Sequence, residues 1–165
     1  MDNFAKLLNK AYRFLSYRPR SVKEVEDYLL KKSSFAKASE GQEKQEIEKL
    51  IDSIINKLKE QKFLNDFEFA KWWIESRAKF KPRALKIIKL ELRQKGIDKE
   101  LIEQVLEQGE ELKSDFDQAL DLAKHKALRF KNLEHRKAYE KMGRFLASKG
   151  FEWDTIKKVI DQVLK

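Results

Sequence analysis

The sequence predicts an all-α protein built as a short array of helical repeats. Three observations carry that prediction. Proline and glycine are scarce, two and five in 165 residues, while Lys, Glu, Leu, Ala and Ile abound. Apolar residues recur every three to four positions along the whole chain. A unit also recurs, in which a basic helix closes on a Leu-x-x-Lys ending and a further amphipathic helix follows. It runs Pro82-Arg83 to Leu92-Arg93-Gln94-Lys95-Gly96-Ile97 in its clearest copy, and its ending returns as Leu146-Ala147-Ser148-Lys149-Gly150-Phe151. The first copy, Pro19-Arg20 to Leu29-Leu30-Lys31-Lys32, ends in Ser33 where the others have Gly. Self-similar units of this kind stack on their neighbours and present extended surfaces to extended partners.

Taken in order, 5–17 reads as a first helix. Ser21-x-x-Glu24 is a capping box that opens a second, with Val22, Val25 and Leu29 as its apolar stripe and Lys32 at its close. Residues 33–42 are small, polar and aperiodic, and read as a loop insertion. A third helix follows over 43–61, with Ile47, Leu50, Ile51, Ile54, Ile55 and Leu58 inward. Asn65-x-x-Glu68 opens a fourth that carries Phe67, Phe69, Ala70, Trp72, Trp73 and Ile74. Pro82 suits the first turn of a fifth. Asp98 is the expected N-cap of a sixth, bracketed by Ile97 and Ile102; Phe151 and Ile156 repeat that spacing before the last. Between them a hairpin is expected over 114–130 and 133–147. The sum is about nine helices in three modules of three, 1–62, 63–111 and 112–165, forming an elongated, curved array.

Composition narrows the function. There is no Cys, and His125 and His135 stand ten residues apart, without the i,i+4 spacing that places two metal ligands on one helix face. Asp115, Asp117 and Asp121 read as the acidic first turns of a helix rather than as a metal cluster. No glycine-rich phosphate loop or nucleophile elbow is present. The expectation is therefore a protein that is not an enzyme, with no cofactor and no metal. No apolar stretch approaches the roughly 18–20 residues that span a bilayer, so a soluble, cytoplasmic protein without a membrane partner is expected.

The formal charge is +9 and is sorted by helix. Residues 70–97 hold nine Lys or Arg against two Glu, whereas 98–111 hold one Lys against six acids. A basic stretch of that kind favours nucleic acid or an acidic protein surface. With Leu85, Ile88 and Leu92 taken as buried, Lys86, Lys89 and Arg93 line an adjacent helix edge. Arg77, Lys79, Lys81 and Arg83 cluster just before it, Lys95 follows, and Lys137, Lys141 and Arg144 form a comparable stripe later. These eleven residues are the expected binding surface. A solvated, generic charged face is the competing reading, weakened by the scarcity of acids able to pair at i,i+4. Trp72 and Trp73 are expected in the core, the alternative being that one stacks on a partner; Phe80, Phe130 and Trp153 are expected in core or staple packing.

Taken together, Leu64-Asn65-Asp66-x-x-Phe69-Ala70, Arg77, Pro82-Arg83 and Glu91-Leu92-Arg93-x-Lys95-Gly96-Ile97 resemble the RecX family, regulators of the RecA recombinase. Arg18-Pro19-Arg20-Ser21 with Leu29 is similar to that family's first module, and 114–165 to its third. Asn65 stands where the family usually has Asp, and the insertion after Lys32 is atypical. The resemblance implies a regulator that binds the RecA filament along its groove, contacts single- and double-stranded DNA, and inhibits by blocking extension or promoting disassembly; a monomer is expected, since it suits an array that itself spans several partner subunits. A sequence-nonspecific DNA-binding repeat protein without a recombinase partner is the alternative.

Overall fold

The computed structural model describes residues 3–33, 42–109 and 113–164. Most of the expected insertion, residues 110–111 of the acidic run and the expected boundary at 111/112 fall outside them. The described residues form nine helices and no strand: α1 (Asn3–Ser16), α2 (Val22–Lys32), α3 (Gln42–Glu60), α4 (Asp66–Phe80), α5 (Leu85–Gln94), α6 (Lys99–Gln108), α7 (Asp115–Ala127), α8 (His135–Ser148) and α9 (Trp153–Val163).

The helix starts are written locally. Ser21 Oγ accepts the Glu24 N–H while the Glu24 carboxylate accepts the Ser21 N–H, so the capping box is complete. Asn65 Oδ1 accepts the Phe67 and Glu68 N–H groups, and Ser114 Oγ accepts that of Asp117. The start of α5 differs most from expectation. α5 begins at Leu85, not at Pro82, because the Ala84 carbonyl takes the first helical N–H groups, from Ile87 and Ile88. Pro82-Arg83 is a lead-in, as Pro19-Arg20 is for α2.

The chain packs as two compact units, Met1–Trp72 with Leu92–Val105, and Trp73–Glu91 with Leu106–Lys165. In the first, Leu7, Leu8 and Ala11 of α1 meet Val25 and Leu29 of α2 and Ile51, Ile54, Ile55 and Leu58 of α3. Ile47 and Leu50 are partly buried against that core. Each buried aliphatic side chain contributes roughly 1.5–3 kcal/mol by leaving water. In the second, Ala119 and Ala123 of α7 leave room for close approach to Ile156, Val159 and Ile160 of α9, with Met142 and Leu146 of α8 completing the core. Gly143 of α8 faces the Trp153 ring and Ile160, and a Cβ there would meet them only at ordinary van der Waals distance.

Each unit also contains one joint between successive repeats, and the two joints are built alike. The N-terminus of α2 meets the start of α4 and the end of α5: Asp66 Oδ1 accepts the Val22 N–H at 2.9 Å, and Ser21 Oγ donates to the Lys95 carbonyl at 2.7 Å. The N-terminus of α5 meets the start of α7 and the end of α8: Asp115 Oδ1 accepts the Leu85 N–H at 2.9 Å, and the Ala84 N–H donates to the Lys149 carbonyl at 3.1 Å. A free helix N–H is thus satisfied by a carboxylate of the following repeat. Gly96 and Gly150, which follow those carbonyls, have φ of +81° and +87°. A Cβ on Gly96 would lie 2.6 Å from Lys23 Cβ, and one on Gly150 would strike Ile87. Glycine is needed twice over, for the left-handed turn and for the close approach.

Candidate nucleic-acid and filament interface

The expected binding residues fall into two groups once their partners are seen. Arg77, Arg83 and Lys95 are tied into the fold. Glu91 accepts from Arg77 Nε at 2.6 Å, from Arg83 Nη1 at 3.1 Å and from Trp73 Nε1 at 3.0 Å. The Arg77 guanidinium also lies over the Trp73 ring, 4.4 Å from its centroid. Lys95 donates to Glu24 at 2.7 Å, beside the Arg18–Glu24 pair at the same distance. Burial pushes the Glu24 carboxyl up, but hydrogen bonds from Arg18 and Lys95 outweigh it and bring the pKa down to about 2. These three cations hold the fold together, and the acids that hold them are few but long in reach.

The remaining residues lie closer to solvent. Lys79, Lys81, Arg93 and Lys141 are exposed, and Lys89 is half-buried. Lys86 is exposed and ion-paired to Glu152 at the second joint. On α8, Lys137 and Arg144 make loose 3.7 Å pairs with Glu134 and Glu140, both largely in water. Exposed pairs of that geometry contribute about 0–1 kcal/mol and are readily exchanged for another anion. By unit, Arg93 and Lys95 belong to the first and the other nine to the second.

Aromatic side chains depart from expectation. Phe80 and Trp153 are 72% and 58% exposed, not in core or staple positions. Phe80 ends α4 where the chain turns into the Pro82 lead-in, and Trp153 is the first residue of α9, with its ring edge near Gly143. Trp72 and Trp73 are half-buried rather than in the core, Trp73 because its indole N–H reaches out to Glu91. Phe130 is partly buried against the core of the second unit.

The place occupied by Arg77, Arg83 and Glu91 in the second repeat is held in the first by Phe14, Arg20 and Tyr28, each 63 positions earlier. There Phe14 and Tyr28 stack face to face at 4.1 Å, and the Arg20 guanidinium caps Phe14 at 3.9 Å. Arg20 Nε is buried without a hydrogen-bond partner, and burial, then the neighbouring Arg18, lowers the Arg20 pKa. One position therefore supports an ion pair or an aromatic stack.

The three carboxylates singled out in the sequence and His135 each have a partner in the fold. Asp115 caps α5, Asp117 accepts the Ser114 hydroxyl and Asp121 pairs with Lys113, so the three carboxylates face separate partners. His135 contacts the Leu164 carbonyl at 3.0 Å. Among the described residues no group of three His, Cys, Asp or Glu could hold a metal, and no helix is long and apolar enough to cross a membrane. Sequence reasoning missed the roles of Asp66 and Asp115. The available signal was an Asp directly after the N-cap in both repeats, Asn65-Asp66 and Ser114-Asp115.

Comparison with known proteins finds the same three parts in the same order. The first, second and third three-helix domains of RecX match residues 8–33, 65–106 and 113–160. The chain is 33% identical to the regulatory protein RecX of Bacillus pumilus and 34% to that of Bacillus subtilis, in each case over 98% of this chain and 56% of the relative. It thus spans little more than half the length of those two. With RecX of Clostridium tetani it shares 32% identity over 99% of this chain and 69% of the relative. The crystal structure of RecX from Lactobacillus salivarius superposes with a TM-score of 0.69 at 30% identity, covering 97% of this chain and 96% of that one. These relatives bear the name of regulatory proteins, not of enzymes. By its three ordered domains and by identity above 30% over nearly its whole length, the chain belongs to the RecX family of regulatory proteins.

Proposed function

We propose that this protein regulates a RecA-type recombinase in the cytoplasm by binding its nucleoprotein filament, touching both protein and DNA, and that it inhibits by blocking extension or promoting disassembly. Such action needs occupancy and no turnover. The observation that carries the reading is family membership joined to a basic surface, +9 overall, on which several cations stand in solvent while a separate set holds the fold.

The cations we assign to binding are Lys79, Lys81, Lys86, Lys89, Lys137, Lys141 and Arg144 in the second unit and, separately, Arg93 in the first. Arg77 and Arg83 support the second-unit cations by fixing α4 and the Pro82 lead-in to α5 through Glu91, and Lys95 ties the end of α5 to Glu24 of α2. Phosphate contacts of this kind release counterions, so affinity for duplex DNA falls by about 0.9 log units per contact per log of salt. Little base preference follows, because phosphate contacts position without reading sequence.

Charge reversal tests this. Lys81→Glu, Arg93→Glu and Lys141→Glu combined should abolish co-sedimentation with RecA filaments and with DNA while the helical circular dichroism is unchanged. Wild-type binding by that variant would refute the assignment. Retained DNA binding by the wild type, with no effect on recombinase at any ratio, would favour a DNA-binding repeat protein without a recombinase partner.

A further inference from the structure

Two of the exposed aromatic residues share a setting that chance placement does not explain. Tyr17 and Phe80 are the most exposed large apolar side chains among the described residues, at 77% and 72%. Scattered exposed rings are ordinary on protein surfaces. These two, however, occupy one position of the repeat: Tyr17-Arg18-Pro19-Arg20 and Phe80-Lys81-Pro82-Arg83 are 63 residues apart and contain the only prolines in the chain. Each ring sits where the first helix of its repeat ends, and each precedes a lead-in fixed on both sides.

The setting is stiff. Proline locks its own φ and restricts the residue before it. Arg18 Nη1 donates to the Pro19 carbonyl and the Arg18 guanidinium holds Glu24; the Lys81 N–H donates to the Arg77 carbonyl. Arg20 then stacks on Phe14, and Arg83 pairs with Glu91. A ring displayed on a rigid base loses little entropy when it is covered.

The setting is also cationic. Lys79 Nζ lies 5.3 Å from the centroid of Phe80, with Lys81 exposed beside it, while Arg13 is exposed one turn before Tyr17. Protein interface cores are depleted of lysine, whereas an aromatic face flanked by cations matches a base with its phosphate. Unpaired bases offer a free π-face; bases in a duplex are already stacked.

We propose that Tyr17 and Phe80 are equivalent stacking positions for unpaired bases, one in each unit, and that they give this protein a preference for single-stranded over duplex DNA. The proposal rests on the DNA-binding part of the function proposed above and adds what the charges alone do not supply, since phosphates are common to both forms.

The test uses the full chain, with a fluorescent oligothymidine and a duplex of equal length, followed by anisotropy at fixed salt. Tyr17→Ala and Phe80→Ala should each weaken single-strand binding about tenfold, and together about a hundredfold, with duplex binding within about twofold of wild type and the salt dependence unchanged. Tyr17→Phe should bind as wild type. A strand carrying 5-iododeoxyuridine should photocrosslink to peptides containing Tyr17 or Phe80. Alanine variants that bind the single strand normally, or that lose both DNA forms equally, would overturn the proposal while leaving the charge assignment intact. Variants that keep single-strand affinity but no longer affect the recombinase would overturn it in favour of a protein anchor. Failure of the wild type to bind either DNA would remove the DNA reading itself, and this proposal with it.

Discussion

The two inter-repeat joints share a backbone plan and differ in side-chain chemistry. In both, an Asp after a helix N-cap accepts an N–H from the preceding repeat, and a carbonyl before a left-handed glycine accepts a second bond. The first joint adds a half-buried ionic cluster, Glu24 with Arg18 and Lys95. The second substitutes Ile87 beneath Gly150 and a Lys86–Glu152 pair that stands mostly in water. Module docking is thus specified by carboxylate, carbonyl and glycine, while the surrounding contacts are interchangeable. The Phe14–Tyr28 stack and the Arg77–Glu91 pair make the same point inside the repeats.

The glycines should show the largest effect. Gly150→Ala should cost about 3 kcal/mol and Gly96→Ala about 2 kcal/mol in urea unfolding, combining left-handed strain with overpacking. The order follows from what each Cβ would meet, Ile87 at the second joint and the side chain of exposed Lys23 at the first. Equal costs below 1 kcal/mol would show that the close approach does not constrain docking.

Acid should separate the joints next. Because the folded pKa of Glu24 is depressed to about 2 from 4.5, its stabilisation is complete above about pH 4.5 and is lost as pH falls toward 2. Glu24→Gln should cost about 1–2 kcal/mol at pH 7 after allowance for solvent screening, and the difference from wild type should shrink below pH 4.5. Glu152→Gln at the second joint should cost less than about 0.5 kcal/mol throughout. Asp66 works in the opposite sense, since burial raises its pKa despite the Val22 N–H, and comparing each variant with wild type at one pH removes that contribution.

Asp66→Ala and Asp115→Ala should each cost about 1 kcal/mol and speed amide exchange at Val22 and Leu85 respectively, which tests whether the shared plan is energetically shared. Smallest is Lys62→Gly. Lys62 has φ of 60° after α3, so glycine there should stabilise by about 0.5 kcal/mol, read as a rise in melting temperature.

Much of the fold was legible because its signals are local. Ser21 and Asn65 mark helix starts within three residues of themselves, and the stripe from Ile51 to Leu58 reports its own burial. The interface was legible only as a stretch of charge. Which cations hold the fold depends on partners elsewhere in the chain, Arg77 and Arg83 on Glu91 and Lys95 on Glu24, and the start of α5 likewise depends on Asp115, thirty residues on. Helical periodicity also says nothing about a ring at a helix end, which is why Phe80 and Trp153 were expected inside and stand outside.

The proposed function is regulation of a recombinase filament by occupancy. The most direct measurement is ATP turnover by RecA assembling on single-stranded DNA, with this protein added well below the amount that saturates the DNA. Turnover should fall at those substoichiometric amounts, and the fall should disappear with the Lys81, Arg93 and Lys141 reversals. Inhibition appearing only once the DNA itself is covered would contradict it.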